Sequence, residues 1–284
     1  MSIQQTAVVG AGTMGNGIAH VLALHGVPVT LIDVDADRLD AATDTIAQNL
    51  DRQVEKDRIA PDEKAATLDR VGTTTDQATG VADVDLVVEA VPEEQALKAE
   101  VFDALDAHAP ADAILASNTS SISITWIAAR TERPERVIGM HFFNPVPVMS
   151  LVEVVRGQCT TDATFEAVAG LSEELDKTPV EVEDYPGFVS NRVLMPMINE
   201  AIFCVMEGVA APEDIDTVMT LGMNHPMGPL TLADFIGLDV CLHILEVLHE
   251  DLGEDKYRPC PLLRRKVTAG ELGRKTGEGF FTYD

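Results

Sequence analysis

The amino-acid sequence predicts an α/β protein: a doubly wound sheet in an N-terminal domain, followed by a smaller, all-helical domain. Two observations support this. Short apolar strand patterns alternate with helical segments up to about residue 184, which favours parallel strands joined by right-handed crossovers. After "YPGFVSNR", strand patterns vanish until the terminal "GFFTYD". We therefore place the boundary near residue 185 and predict domains at 1–185 and 186–284.

The individual elements follow from local patterns. "TAVVGAGTMGNGIAHVLALHG" predicts a strand, a glycine turn and a helix, and "PVTLID" predicts the second strand. Polar helical stretches are expected near 36–56 and 61–69. Later strands are predicted at "RVGTTT", "DLVVEAV", "AILASN", "RVIGMHF", "LVEVV" and "TPVEVED". The second domain is predicted to contain helices at "NRVLMPMINEAIFCVMEG", "PEDIDTVMTLG", "PLTLADFIGLDVCLHILEVLHEDLG" and "CPLLRRKVTAG".

Composition narrows the function classes. The chain has 47 acidic and 20 basic residues, for a formal net charge of -27, and the acids are scattered along it. Nucleic acid is an improbable partner, because binding phosphates needs a positive surface. We hypothesise instead an acidic surface adapted to high salt, as in halophile proteins. No apolar run reaches the roughly 18 residues of a membrane span, and the four cysteines form no C-x-x-C pair. We expect a cytoplasmic protein without a metal site.

A glycine motif gives the first indication of a cofactor. Gly10, Gly12 and Gly15 in "VVGAGTMG" directly follow a strand and open a helix, the context of a dinucleotide-binding loop. Gly10 permits the turn, Gly12 lets the backbone approach a pyrophosphate, and Gly15 allows close helix packing. Asp33 ends the second strand, where a carboxylate suits the ribose hydroxyls and repels a 2′-phosphate. The pattern favours NAD over NADP.

A nicotinamide cofactor requires a nearby group that exchanges a proton. His141 follows the strand pattern "RVIGM", at the end where doubly wound folds bind ligands. Glu153 interrupts the aliphatic pattern of "LVEVV". If the two segments adjoin, the carboxylate would orient the imidazole and stabilise the imidazolium. A lone glutamate in a strand can equally face water, so spacing alone leaves both interpretations open.

Longer motifs resemble a known family. "SNTSSISIT", "HFFNPVPVMSLVEVV", "PGFVSNR", "NHPMGPL", "DFIGLDVC" and "GRKTGEGFFTYD" are similar to the L-3-hydroxyacyl-CoA dehydrogenase family, particularly its short-chain members, over essentially the whole chain. The resemblance implies a Rossmann-type domain, NAD as cofactor, and interconversion of an (S)-3-hydroxyacyl-CoA, such as 3-hydroxybutyryl-CoA, with its 3-oxoacyl-CoA in fatty acid metabolism. It also implies a homodimer formed through the helical domain.

The same resemblance implies roles for individual residues. His141 and Glu153 match the catalytic pair, and Ser120 and Asn191 match residues that contact the substrate; on pattern alone, both would be helix caps. Lys56 aligns less securely with a lysine that contacts CoA, because acids surround it. We expect the cofactor to contact Gly10, Gly12, Thr13, Met14, Gly15, Asp33, Glu93, Lys98, Asn144 and Lys275. Without the resemblance, Lys98 would be interpreted as an exposed helix base.

Two other functions remain open. A related dehydrogenase could act on a hydroxy acid that carries no CoA. The chain could also be a non-catalytic dinucleotide-binding protein, like the lens crystallins related to this family. The intact set of Ser120, His141, Glu153 and Asn191 argues against the second alternative.

Overall fold

The computed structural model describes residues 3–283. The chain divides into two compact units, with the break between Asp184 and Tyr185. Met1, Ser2 and Asp284, which the predicted domain ranges include, lie outside the described residues. Across residues 3–283, the helices are all too short or too polar to cross a membrane.

The first unit is built on one eight-stranded sheet. Its strands are β1 Thr6–Val9, β2 Val29–Ile32, β3 Val71–Thr74, β4 Leu86–Glu89, β5 Ile114–Ser117, β6 Val137–Phe142, β7 Leu151–Arg156 and β8 Thr178–Glu183. They lie in the order β3-β2-β1-β4-β5-β6-β7-β8. Every residue of β1, β4 and β5 is buried, as expected for central strands that are covered on both faces. The predicted doubly wound α/β class is confirmed.

One pairing departs from the prediction of parallel strands. β6 and β7 are antiparallel, whereas all other neighbours in the sheet are parallel. Only residues 143–150 connect the two strands. A connection this short can reverse the chain but cannot form the crossover that parallel strands need. The first residues of β7 therefore lie beside the last residues of β6, at the carboxyl edge of the parallel strands.

Helices connect most of the strands in the first unit. They are α1 Thr13–Leu24, α2 Ala36–Glu55, α3 Pro61–Asp69, α4 Gln77–Gly80, α5 Gln95–His108, α6 Ile124–Ala128 and α7 Asp162–Glu174, with a 3₁₀ turn at Pro134–Arg136. Short polar side chains begin several of them: the Asp35 carboxylate, for example, accepts the Asp37 N–H at 3.0 Å and caps α2. The two predicted polar helices correspond to α2 and α3.

The second unit is helical. It contains α8 Ser190–Met206, α9 Pro212–Thr217 with a π-helical extension Val218–Gly222, α10 Pro229–Ile236, α11 Leu238–Leu252 and α12 Pro261–Ala269, with 3₁₀ turns at Asp255–Tyr257 and Arg274–Thr276. Its core includes Ile198, Ile202, Leu230, Leu245 and Leu263.

Two local patterns in the second unit form structures that differ from their appearance in the sequence. The segment predicted as one long helix breaks into α10 and α11 at Gly237, whose φ of 104° cannot continue a right-handed helix. The terminal strand pattern of "GFFTYD" makes only isolated bridges, between Gly273 and Glu278 and between Glu278 and Thr282, and so forms no strand within the described residues. An edge segment with two single bridges lacks the continuous ladder that defines a sheet strand.

Candidate active site

The glycine loop connects β1 to α1. Gly10 has a φ of 104°, and a Cβ added there would lie 2.6 Å from the Ala90 carbonyl oxygen. A Cβ on Gly15 would lie 1.7 Å from the Gly10 carbonyl oxygen, so both positions require glycine for packing within the protein. At Gly12 a Cβ would meet nothing within 4 Å. That open space beside the first turn of α1 suits the close approach of an anionic ligand.

Asp33 joins this loop to the end of β2. One of its carboxylate oxygens accepts the Ala11 N–H at 2.8 Å, and the other accepts the Asp35 N–H at 3.2 Å. These bonds fix the carboxylate at the rim of a cavity of about 470 Å³. The cavity is lined by Gly10, Gly12, Thr13, Met14, Ile32, Asp33, Val34, Arg38, Val91, Pro92 and Leu97, among others. Apolar walls with a few fixed polar groups are typical of a nucleotide-binding pocket.

Arg38 is a pocket residue that the sequence reasoning missed. It lies in the first part of α2, and its Nε is 3.7 Å from a carboxylate oxygen of Asp35. Its side chain lines the same cavity as Asp33. Its position just after the acids of "DVDADR" could have identified it, since the turn after the second strand contacts the ribose in dinucleotide-binding folds.

The second group of predicted residues meets across β6 and β7. His141 and Glu153 are direct partners in the antiparallel register, and His141 Nδ1 lies 2.8 Å from Glu153 Oε2. Both residues are buried, with exposed fractions of 6% and 3%. On the other side of the ring, Ser120 Oγ lies 3.0 Å from His141 Nε2. The interpretation of Glu153 as a solvent-facing strand residue is therefore wrong.

This geometry fixes the proton arrangement of a neutral ring. An ionised carboxylate only accepts hydrogen bonds, so Nδ1–H donates to Glu153. Nε2 then carries the lone pair and accepts the Ser120 hydroxyl proton. Phe143 packs against the ring, with centroids 4.8 Å apart. The site thus holds an imidazole whose Nε2 is the basic atom and whose opposite nitrogen is fixed by an acid.

Glu93 organises the turn that contains Ser120. Its Oε1 accepts four hydrogen bonds from residues 119–121, including the N–H groups of Ser120 and Ser121, each at 2.9 Å. Burial alone would raise the pKa of Glu93, but the charge of Lys98 and the hydrogen bonds from Thr119, Ser121 and Ser120 outweigh it and lower the pKa below its ordinary value. Glu93 is therefore an ionised anchor for this turn at neutral pH.

Lys98 is buried, contrary to the interpretation of an exposed helix base. Its side chain is 1% exposed, and Nζ donates to Glu89 Oε1 at 2.6 Å. Neither Glu89 nor Ser117, whose hydroxyl donates to the other oxygen of Glu89 at 2.6 Å, was among the predicted residues. The available signal was an acid inside the apolar pattern "DLVVEAV", the same kind of signal that identified Glu153.

The remaining predicted residues lie elsewhere. Asn144 is exposed just after β6, and Lys56 is exposed at the end of α2. Asn191 is buried in the first turn of α8, in the second unit. Lys275, also in the second unit, pairs with Asp239 at 2.6 Å. Within the first unit, the structure brings together Ser120, His141 and Glu153 in one cluster, and the glycine loop with Asp33 in another.

The fold and the cluster of the glycine loop with Asp33 define a dinucleotide-binding domain of the dehydrogenase type. Comparison with known proteins supports this assignment of the first unit. Residues 5–185 match the family model described as 3-hydroxyacyl-CoA dehydrogenase, NAD binding domain, and residues 187–283 match the model of the C-terminal domain of the same family. The chain belongs to the 3-hydroxyacyl-CoA dehydrogenase family, whose cofactor is NAD.

Individual relatives cover the full length. A probable 3-hydroxybutyryl-CoA dehydrogenase of Bacillus subtilis is 55% identical and covers 100% of this chain and 99% of its own. A 3-hydroxybutyryl-CoA dehydrogenase of Bradyrhizobium diazoefficiens is 54% identical, covering 99% of this chain and 96% of its own. The crystal structure of (S)-3-hydroxybutyryl-CoA dehydrogenase from Ralstonia eutropha is 48% identical, with a TM-score of 0.97 and complete coverage of both chains.

Proposed function

We propose that this protein interconverts an (S)-3-hydroxyacyl-CoA and the corresponding 3-oxoacyl-CoA, with 3-hydroxybutyryl-CoA as the preferred substrate. The observation that carries the proposal is the buried chain of contacts from Ser120 through His141 to Glu153. The relatives whose names include 3-hydroxybutyryl-CoA support the short-chain preference.

In the direction of oxidation, His141 Nε2 takes the proton of the 3-hydroxyl group. NAD, when bound, would supply the acceptor for the hydride that leaves C3, the carbon that carries this hydroxyl group. Glu153 holds Nδ1–H and stabilises the positive charge that the ring gains, so the proton transfer does not leave an isolated buried cation. Ser120 donates to the substrate oxygen while the ring is protonated, and Asn191 supplies a further polar contact. Reduction reverses these steps.

The cofactor would be held mainly by the first unit. The open face of Gly12, together with Thr13 and Met14 in the first turn of α1, would receive the pyrophosphate, and Asp33 would accept hydrogen bonds from the adenosine ribose. Glu93, Lys98, Asn144 and Lys275 are proposed to lie near the cofactor as well. We assign residues 1–185 to NAD binding and 186–284 to substrate binding and dimerisation.

A homodimer and a cytoplasmic location complete the proposal. Several large apolar residues of the second unit are exposed, including Val193 at 68%, Val209 at 69% and Leu221 at 83%. Burying such residues between two copies of the chain would remove apolar surface from water, as protein interfaces do.

Lys56 is proposed to contact CoA, although Glu55 and Asp57 beside it weaken the attraction for CoA phosphates.

The decisive assay is NADH consumption with acetoacetyl-CoA, longer 3-oxoacyl-CoAs and CoA-free 3-oxo acids. We expect turnover with the CoA thioesters and a loss of activity of several orders of magnitude in His141→Ala, with NADH binding largely retained. Turnover only with CoA-free acids would indicate the alternative dehydrogenase. NADH binding without turnover of any substrate would indicate a non-catalytic protein.

A further inference from the structure

A second buried acid, outside the proposed catalytic pair, lies at the carboxyl edge of the same sheet. Glu89 ends β4 and has no exposed surface. Its Oε1 accepts the Val91 N–H at 2.7 Å and the Lys98 ammonium at 2.6 Å, and its Oε2 accepts the Ser117 hydroxyl at 2.6 Å. One carboxylate thus ties together the ends of β4 and β5 and the first turn of α5.

Lys98 extends this arrangement to Glu93. Its Nζ, held by Glu89, lies 3.4 Å from Glu93 Oε2, while all four hydrogen bonds from residues 119–121 fall on Glu93 Oε1. The ammonium therefore faces one oxygen of Glu93 and orients the other toward the turn. A continuous path of contacts runs from Glu89 through Lys98, Glu93 and the Ser120 backbone to His141.

A second, shorter path of hydrogen bonds runs from Glu89 through Ser117 to the turn that contains Ser120. Its Oγ, which donates to Glu89, also accepts the Thr119 N–H at 3.2 Å. Glu89 and Ser117 are register partners in the parallel pair of β4 and β5, just as His141 and Glu153 are partners in β6 and β7. Glu89 is therefore linked to both ends of the segment that presents Ser120.

We propose that Glu89 is a positioning residue of this enzyme, which acts through Lys98, Glu93 and Ser117 to hold residues 119–121 so that Ser120 Oγ meets His141 Nε2. The inference rests on the proposed function of Ser120 and His141. It assigns a role to Glu89 and Ser117, and gives Lys98 a role in shaping the site as well as in lying near the cofactor.

The energetics favour this interpretation over a purely stabilising one. Buried ion pairs pay a large desolvation cost, and well-packed apolar replacements are often as stable or more so. Here three charged carboxylate or ammonium groups sit within one small cluster, with two negative charges facing one positive charge. Stability alone does not require this arrangement. The arrangement instead orients Glu93, whose Oε1 accepts four hydrogen bonds from residues 119–121. This turn places Ser120 beside the basic Nε2 of His141.

The test compares Glu89→Gln with the double variant Glu89→Gln and Lys98→Met. The single variant leaves the buried ammonium without its main partner, so we expect a lower Tm and a kcat lowered by about 10- to 100-fold, since misplacing a reacting group by about 1 Å costs about that much. The double variant removes the unpaired ammonium, and the Glu93 carboxylate keeps its four hydrogen bonds from residues 119–121. Its Tm should recover while its kcat stays low, because no ammonium orients Glu93.

Asp106→Asn is the matched control. It breaks another largely buried ion pair of α5, in which Arg133 Nε and Asp106 Oδ1 are 2.8 Å apart, but that pair has no link to residues 119–121. We expect a lower Tm with unchanged kcat. Measuring kcat at saturating NADH, and NADH affinity separately by its fluorescence, distinguishes a misplaced turn from weakened cofactor binding. In Glu89→Gln the affinity should stay within about twofold of wild type.

A pH profile adds an independent readout. Lys98 lowers the pKa of Glu93, so losing the ammonium raises that pKa. In the double variant, the loss of kcat relative to wild type should therefore grow as the solution is acidified. Recovery of kcat together with Tm in the double variant would overturn the proposal. If wild type is active, His141→Ala is inactive and the double variant is normal, only this inference fails and the proposed function stands.

Discussion

Glu153→Gln is the sharpest test of the catalytic pair. The substitution keeps the shape of the side chain and one acceptor for His141 Nδ1–H, 2.8 Å away, but removes the negative charge. Two unit charges about 4 Å apart attract by about 4 kcal/mol at the effective dielectric of a protein interior. The glutamine dipole retains part of this attraction, so we expect a loss of about 2 to 3 kcal/mol in stabilising the imidazolium.

That loss corresponds to a decrease in kcat of about 30- to 150-fold, because about 1.4 kcal/mol is a factor of ten. The assay is NADH consumption with saturating acetoacetyl-CoA, accompanied by a thermal melt to establish that the variant is folded. Asp255→Asn is the control, since it changes an exposed acid whose oxygen lies 4.0 Å from His249 Nε2, and its kcat should be unchanged. A folded Glu153→Gln variant with kcat within twofold of wild type would refute the charge argument.

Three further predictions follow from other parts of the molecule. Asp33→Ser should weaken NADH binding by about tenfold and improve NADPH binding, because it removes the acid that repels a 2′-phosphate and leaves Arg38 in the same cavity; adding Arg38→Ala should abolish the gain, as measured by NADPH fluorescence. His20 is fully buried, and burial, followed by the charges of His25 and Lys177, lowers its pKa from 6.5 to about 4. The unfolded state therefore takes up a proton at His20 at a higher pH than the folded state does. The unfolding free energy should fall by about 3 kcal/mol as the pH drops from 6.5 to 4. Urea titrations should show a flatter pH profile for His20→Asn. With a net charge of -27, Tm should rise as KCl approaches molar concentrations; a falling Tm contradicts adaptation to salt.

Local patterns in the sequence predict the elements well but not how distant ones meet. The pairing of His141 with Glu153 was accessible because only 12 residues separate them and a short turn joins their strands. Glu89 and Ser117 are 28 residues apart, and their contact depends on β4 and β5 becoming neighbours in the sheet. The burial of Lys98 also could not be predicted from local sequence patterns. A lysine in a helix is usually exposed, and only the tertiary position of Glu89 makes its burial favourable.

Glu89 at the end of β4 and Glu153 within β7 are both buried acids in apolar strands, and the chemistry of their partners separates their roles. Glu89 faces a lysine ammonium, which carries the same charge before and after hydride transfer, so that pair can hold a geometry but cannot take part in proton transfer. Glu153 faces an imidazole, which changes charge when it takes the proton of the substrate. Replacing Glu153 should therefore alter the pH dependence and solvent isotope effect of turnover, whereas Glu89→Gln should lower kcat without changing the isotope effect. The two variants together distinguish an acid that takes part in the chemistry from one that positions the groups around it.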